Sequence, residues 1–296
     1  MFAYPPMMHP SVPIPVVHLF PTLDAHLLTL LRTLAKEDWT KPTLAKHWTV
    51  KDVAAHLLDG SVRTLSIQRD GYFGMTPPAG ATEAYSGLVE WLDSINHEWV
   101  QAAKRLSPDV LILLLEATGN PASAYYASVN PWATAPFPVD WAGESQSYQW
   151  MHLAREYTER WHHQQQIRDA VGQTGDLMTR ELFYPCIDTF MRGLPHTFRN
   201  VEALAGTVVR MTITGDAGGT WHLERQEKVW ALLPEHSSTP EAEISLSPDI
   251  AWKVFTKGIP YETARENSEI TGNISLGAHA LTMVSVMAQA REYGNT

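Results

Sequence analysis

The chain is short of cysteine, of basic charge and of long apolar runs, and each shortage excludes something. Cys186 is the only cysteine in 296 residues, so no disulfide can close within the chain. It follows Pro185 in an apolar context, which reads as a packed side chain rather than a nucleophile. Lys and Arg number 22 against 32 Asp and Glu, a formal charge of −10 with no offsetting basic cluster, and a nucleic-acid backbone is therefore excluded as a partner. No apolar run reaches the length of a membrane span. The proline-rich stretch Met1 to Pro21 lacks the basic-then-apolar order of a signal peptide. The expectation is a cytoplasmic protein with no membrane contact, whose residues 1–21 form an extended arm on the surface. What the chain does have is apolar bulk: 44% of it is hydrophobic, enough for a sizeable core in one large domain or two ordinary ones.

The hydrophobic period changes near residue 200. Before it, helical spacing dominates. Leu23, Leu27, Leu30, Leu31 and Leu34 mark a first helix that ends before Pro42. A second runs from Val50 to about Arg69, opened by Thr49 as N-cap with Asp52 three residues on. A third covers about Glu83 to Leu106, and a shorter one follows Ser107 through Leu114. The Pro/Ala/Asn-rich stretch from Gly119 to Trp141 reads as a long irregular connection. A long helix then spans about Ser147 to Val171 and stops at Gly172. Another runs from Thr179 to about Phe198, with Pro185 and Pro195 expected to kink or shorten it. Past residue 200, strands are expected at Val208–Thr214, Thr220–Arg225, Val229–Leu233 and Glu243–Leu246, with Gly215–Gly219 as a turn and no phosphate-loop ending. Helices are expected at Pro248–Thr256 and from Ser275 to about Arg291. The organisation predicted is an arm over 1–21, a helical bundle over 22–199 and a smaller C-terminal α+β unit with an antiparallel sheet over 200–296.

Within the long helix, Glu159 and His163 stand one turn apart, about 40° around the axis, so one helix face offers a carboxylate and an imidazole to a divalent metal. His56, on the second helix, is a candidate third ligand, and three such ligands leave a tetrahedral metal one open position. Each residue also has an ordinary reading. A Glu/His pair at this spacing is common on solvated helices, and a lone His in Val53-Ala54-Ala55-His56-Leu57 suits a core position. His152 and Glu156 lie close to the same stripe, so spacing alone leaves the choice of pair open.

Two segments resemble a known family. The first is Asp38-Trp39-Thr40-Lys41-Pro42-Thr43-Leu44, continuing through His47-Trp48-Thr49-Val50-Lys51-Asp52-Val53-Ala54-Ala55-His56-Leu57. The second is Glu159-Arg160-Trp161-His162-His163-Gln164-Gln165-Gln166-Ile167-Arg168-Asp169-Ala170-Val171-Gly172. Both are similar to motifs of the mycothiol-dependent maleylpyruvate isomerase family, within the DinB-like metal-binding superfamily. The resemblance implies an N-terminal DinB-like bundle, a sterol-carrier-like C-terminal unit, and metal ligation by His56, Glu159 and His163, with His152, Glu156 and His162 left out. One departure is Gln166, where many relatives carry Asp.

An open metal position can ionise water to hydroxide or a thiol to thiolate. With Cys186 unsuited, thiol chemistry needs a thiol cosubstrate, and the resemblance implies mycothiol or a similar small thiol. The reading favoured is a metal-dependent thiol isomerase or S-transferase acting on a small electrophile. The metal is zinc or nickel, since imidazole and carboxylate suit several divalent ions. The alternatives are a metal-dependent hydrolase using bound water and a non-catalytic module binding a metal or an apolar ligand. Arg225, with Arg210 second, is the expected cation for substrate carboxylates, reaching across from the C-terminal unit. Asp52, one turn before His56, is either an acceptor for that ring's second nitrogen or only a helix-capping group.

Overall fold

The computed structural model describes residues 12–81, 83–234 and 239–288. Its first part is helical: α1 (Phe20–Thr33), α2 (Val50–Arg63), α3 (Tyr85–Ala103), α4 (Pro108–Ser128), α5 (Gln149–Val171), α6 (Arg180–Met191) and the short α7 (Leu194–Thr197). Then come β1 (Val208–Ile213), β2 (Gly219–Arg225), β3 (Trp230–Leu233), β4 (Ala242–Leu246), α8 (Pro248–Phe255), α9 (Tyr261–Glu266), β5 (Ser268–Gly272) and α10 (Ile274–His279). This is a helical bundle followed by a smaller α+β unit. Among the described residues no helix is long and apolar enough to cross a membrane.

Several boundaries differ from expectation for identifiable reasons. Of the expected arm, residues 1–11 lie outside the described residues. Ile14, Val16, Leu19 and Phe20 are buried, so the chain enters the core before residue 21 rather than lying on the surface. α2 ends at Arg63 and passes into a π-helical turn over Thr64–Arg69, a wider winding than the continuous helix expected. α4 does not stop near Leu114. It continues through Gly119 and Pro121 to Ser128, because Leu111, Leu115, Ala122 and Tyr126 form one buried stripe whose packing outweighs the missing proline N–H. The irregular connection is therefore shorter than predicted. Beyond α10 the expected helix, whose end at 289–291 lies outside the described residues, gives way to a 3-10 turn at Ala280–Thr282. There Ser285 donates its N–H to Phe255 O at 2.9 Å and its hydroxyl to Phe190 O at 3.2 Å, trading helical bonds for ties to α8 and α6.

The sheet has five strands in the order β3-β2-β1-β4-β5. β1 pairs with β4 in parallel and all other pairs are antiparallel, so the sheet is mixed. Strand β5 and helix α9 carried no clear periodic signal in the sequence. Alternation works as expected on β1: Val209, Met211 and Ile213 face the core, while Arg210 and Thr212 face outward and Arg210 pairs with Glu243 on β4.

One apolar cluster runs through both parts of the chain, joining Trp161 of α5 and Phe183 and Phe190 of α6 to Met211, Ile244 and Trp252. Trp161 meets Phe183 at 5.3 Å and Trp252 edge-on at 6.1 Å between ring centroids. Trp221 donates to Asp188 at 2.8 Å, and Lys253 reaches Asp169 at the end of α5 at 2.9 Å. A second cluster, built from α1, α2, α4 and Ile167 of α5, fills the bundle. α5 is thus buried on both flanks, with Trp161 turned toward the α+β unit and the neighbouring face turned toward α2.

Candidate metal centre

The face of α5 toward α2 carries Glu159 and His163, and α2 presents His56 to it. Local sequence explains each placement. Thr49 caps α2, its hydroxyl accepting from Asp52 N, while the Asp52 carboxylate accepts from Thr49 N at 2.9 Å and from the Thr49 hydroxyl at 2.8 Å. Asp52 is therefore committed to the helix start and is not the partner of His56. Gly172, at φ 75°, ends α5 in the left-handed conformation that glycine adopts at little cost.

One ligand atom from each of His56, Glu159 and His163 lies within 4.8 Å of the others, and this is the only such grouping of three among the described residues. The His163 Nε2 to Glu159 Oε2 distance is 3.5 Å. Ligand atoms about 2.0–2.2 Å from a tetrahedral ion stand roughly 3.3–3.6 Å apart, so this spacing already suits one. The Nδ1 of His56 is buried without a hydrogen-bond partner, a cost that a buried polar atom rarely carries without a reason. Burial, followed by the charges of His163 and Arg63, pushes His56 well below its ordinary pKa. Burial alone would raise the Glu159 carboxyl, but its hydrogen bond with His163 and the charges of His162, His163 and Arg155 more than reverse this and hold it ionised. A neutral imidazole beside an ionised carboxylate is the state that metal ligation requires. The three residues fit a divalent ion.

The neighbours expected to stand aside are engaged elsewhere. His162 bonds Thr158 O through Nδ1 at 2.8 Å, and burial, then the charge of His163, pushes it down to about 3. His152 is fully buried between Gln68 Oε1, 3.0 Å from Nε2, and Arg155, 3.0 Å from Nδ1. Arg155 and Tyr126 donate to the two oxygens of Glu156, at 2.7 and 3.3 Å. Gln68, which reaches His152, lies on the π-helical turn.

The pocket at the cluster is lined by His56, Leu57, Gly60, Glu156, Glu159, Arg160 and His163, all from α2 and α5. Arg225 is not among these residues. It ends β2 opposite Trp230, its backbone N–H donating to Thr207 O at 2.9 Å. Sequence reading gave no role at the site to three contributors. Trp48 stands 4.9 Å from the His56 ring and 6.3 Å from His163, carried there by a turn in which His47 adopts a left-handed φ of 67°. Arg160 lines the pocket while donating to Asp24 at 2.6 Å and Ser61 at 3.0 Å. The Oε1 of Gln166 lies 2.9 Å from His163 Nδ1, an approach that the i,i+3 spacing allows.

Residues 20–168, half of the chain, match the family described as the mycothiol maleylpyruvate isomerase N-terminal domain. The chain belongs to this family. The fold agrees beyond the matched segment. A crystal structure of a single-site mutant of the mycothiol-dependent maleylpyruvate isomerase covers 84% of this chain and 90% of its own, with a TM-score of 0.50 at 13% identity. A second crystal structure of that isomerase covers 82% and 88%, at TM-score 0.49 and 14% identity. A comparison with curated protein sequences gave no match. Membership in the mycothiol maleylpyruvate isomerase family thus rests on the bundle, and at this identity the structural likeness speaks for the fold.

Proposed function

We propose that the protein is a metal-dependent thiol isomerase of the maleylpyruvate isomerase kind, using mycothiol or a similar small thiol. The observation that carries the reading is the convergence of His56, Glu159 and His163 from two helices in a family built around thiol-dependent isomerisation. His56, Glu159 and His163 would hold a divalent ion, zinc or nickel, which both suit imidazole and carboxylate donors, and the ion would let a bound thiol ionise near neutral pH. The residues of the chain do the rest. His56 and His163 are turned toward one point, and ionised Glu159 offsets part of the ion's charge. Trp48 lies beside both rings, and an aromatic surface there would weaken screening of the local field.

The reaction is atom-neutral. The thiol sulfur adds to one carbon of an activated double bond and a proton to the other. The new single bond rotates, and elimination of the same thiol restores the double bond in the other geometry. No oxidant is needed. Glu156, at the pocket wall, is held by Arg155 and Tyr126 and would serve this step only as a fixed negative charge. Of the cations, Arg160 is already in the wall, while Arg225 is proposed from the sequence to hold a substrate carboxylate.

The test is metal analysis of protein purified without a histidine tag, followed by isomerase assays with and without added thiol. Thiol-dependent turnover lost on chelation supports the reading. Metal-dependent hydrolysis of an ester or amide with no need for thiol would instead support a hydrolase.

A further inference from the structure

Both ring nitrogens of His163 face an oxygen: Nε2 faces Glu159 Oε2 at 3.5 Å and Nδ1 faces Gln166 Oε1 at 2.9 Å. A neutral imidazole has one N–H and one lone pair, so it can donate to only one of these oxygens. If Nε2 carries the proton, the ring pairs with Glu159 and cannot bind a metal at that atom. If Nδ1 carries it, the proton goes to Gln166 and the Nε2 lone pair points at the shared site. We propose that Gln166 is a positioning residue that fixes His163 as an Nε2 ligand, and that as a neutral amide it holds the metal more loosely than a carboxylate there would. The proposal rests on the metal reading of His56, Glu159 and His163.

Three features make Gln166 suited to the task. It is 4% exposed, so water does not compete for the Nδ1 proton. It lies three residues after His163 on the same helix, so the acceptor moves with the ring and needs no tertiary contact to find it. Asp52, the other acceptor that the sequence offered for this centre, is occupied at the start of α2. A partner on the non-ligating nitrogen sets both the tautomer and the electron density of the ligating one, and a charged acceptor raises basicity more than an amide does. The predicted consequence is an ion that is bound yet exchangeable, and a stronger Lewis acid toward the group in its open position.

The measurement is zinc affinity of full-length protein, by competition with a chromophoric chelator, for wild type, Gln166→Met and Gln166→Glu. Unfolding of each in excess chelator controls for the fold. The methionine keeps length and apolar contact but accepts no proton, and affinity should fall about 10–100-fold. The glutamate keeps the acceptor and adds charge, and affinity should rise above wild type. A methionine variant within twofold of wild type overturns the proposal, and so does a glutamate variant no tighter than wild type. If the methionine variant does not fold, the glutamate comparison decides alone. Wild-type protein that takes up neither zinc nor nickel overturns both this inference and the metal reading beneath it, whereas the other outcomes leave that reading standing.

Discussion

Trp252→Ala should weaken the helical bundle, although Trp252 belongs to the α+β unit. Its ring is fully buried and meets Trp161 edge-on at 6.1 Å, two residues from both Glu159 and His163 on α5. Truncating a buried tryptophan costs about 3–5 kcal/mol, of which an edge-on ring pair accounts for roughly 0.5–1.5 kcal/mol. A loss of about 4 kcal/mol is a large share of the 5–15 kcal/mol that holds a typical domain together. Because the apolar cluster is continuous from α5 and α6 into the sheet, the loss should be felt by the whole chain. Urea unfolding followed by far-ultraviolet circular dichroism and by tryptophan fluorescence, in zinc and in chelator, makes the check. One transition is expected by both probes, moved to lower urea by the substitution. Zinc at about 1,000 times its dissociation constant should restore roughly 4 kcal/mol. Two separated wild-type transitions, with the helix-rich one unmoved by Trp252→Ala, would refute the reasoning and show that the halves are stable independently.

His56→Ala, Glu159→Gln and His163→Ala should each strip the metal and abolish turnover, while His162→Gln should keep full metal content; elemental analysis of the four proteins decides. Arg225→Ala should raise KM for an anionic substrate with metal content unchanged, and an unaltered KM would remove Arg225 from the site. Burial first, and then the Arg155 charge, pushes His152 down to about 4, so below its ordinary pKa the unfolded chain takes up a proton that the folded chain refuses. Stability from this residue is full above about pH 6.5 and drains away toward pH 4, by on the order of 3 kcal/mol. His152→Gln should flatten the unfolding free energy measured across that range.

The bundle and the candidate ligands were legible because their signals are local. A capping box announced α2, a glycine stop ended α5, and i,i+4 spacing put Glu159 and His163 on one face. What was not legible depends on partners distant in the chain. The buried stripe that carries α4 past Pro121 is recognisable only once α1 lies against it. β5 reads as an irregular polar stretch until β4 offers it hydrogen bonds. The parallel pairing of β1 with β4 leaves no mark in the alternation of either strand. Trp48 reaches the two imidazoles through a turn in which a non-glycine residue takes a left-handed conformation, and neither Ala45 nor Lys46 hints at that. Arg225 is a different case: residue type and strand position suggest a carboxylate clamp, while the residues lining the cavity at the cluster all come from α2 and α5, so its part stays a proposal for the KM measurement.

The chain's single sulfhydryl lies at the heart of the apolar cluster, wholly enclosed, with burial and then the charge of Glu159 raising its pKa well above the usual range. In the native protein Cys186 is therefore a protonated, unreachable thiol that neither joins mixed disulfides with a small-thiol pool nor answers alkylating reagents. On the proposed function, a protein that handles sulfur chemistry at one site keeps its own sulfur out of the exchange. Since only opening of the core exposes that atom, the rate at which a maleimide marks it is a clock for the breathing of the fold.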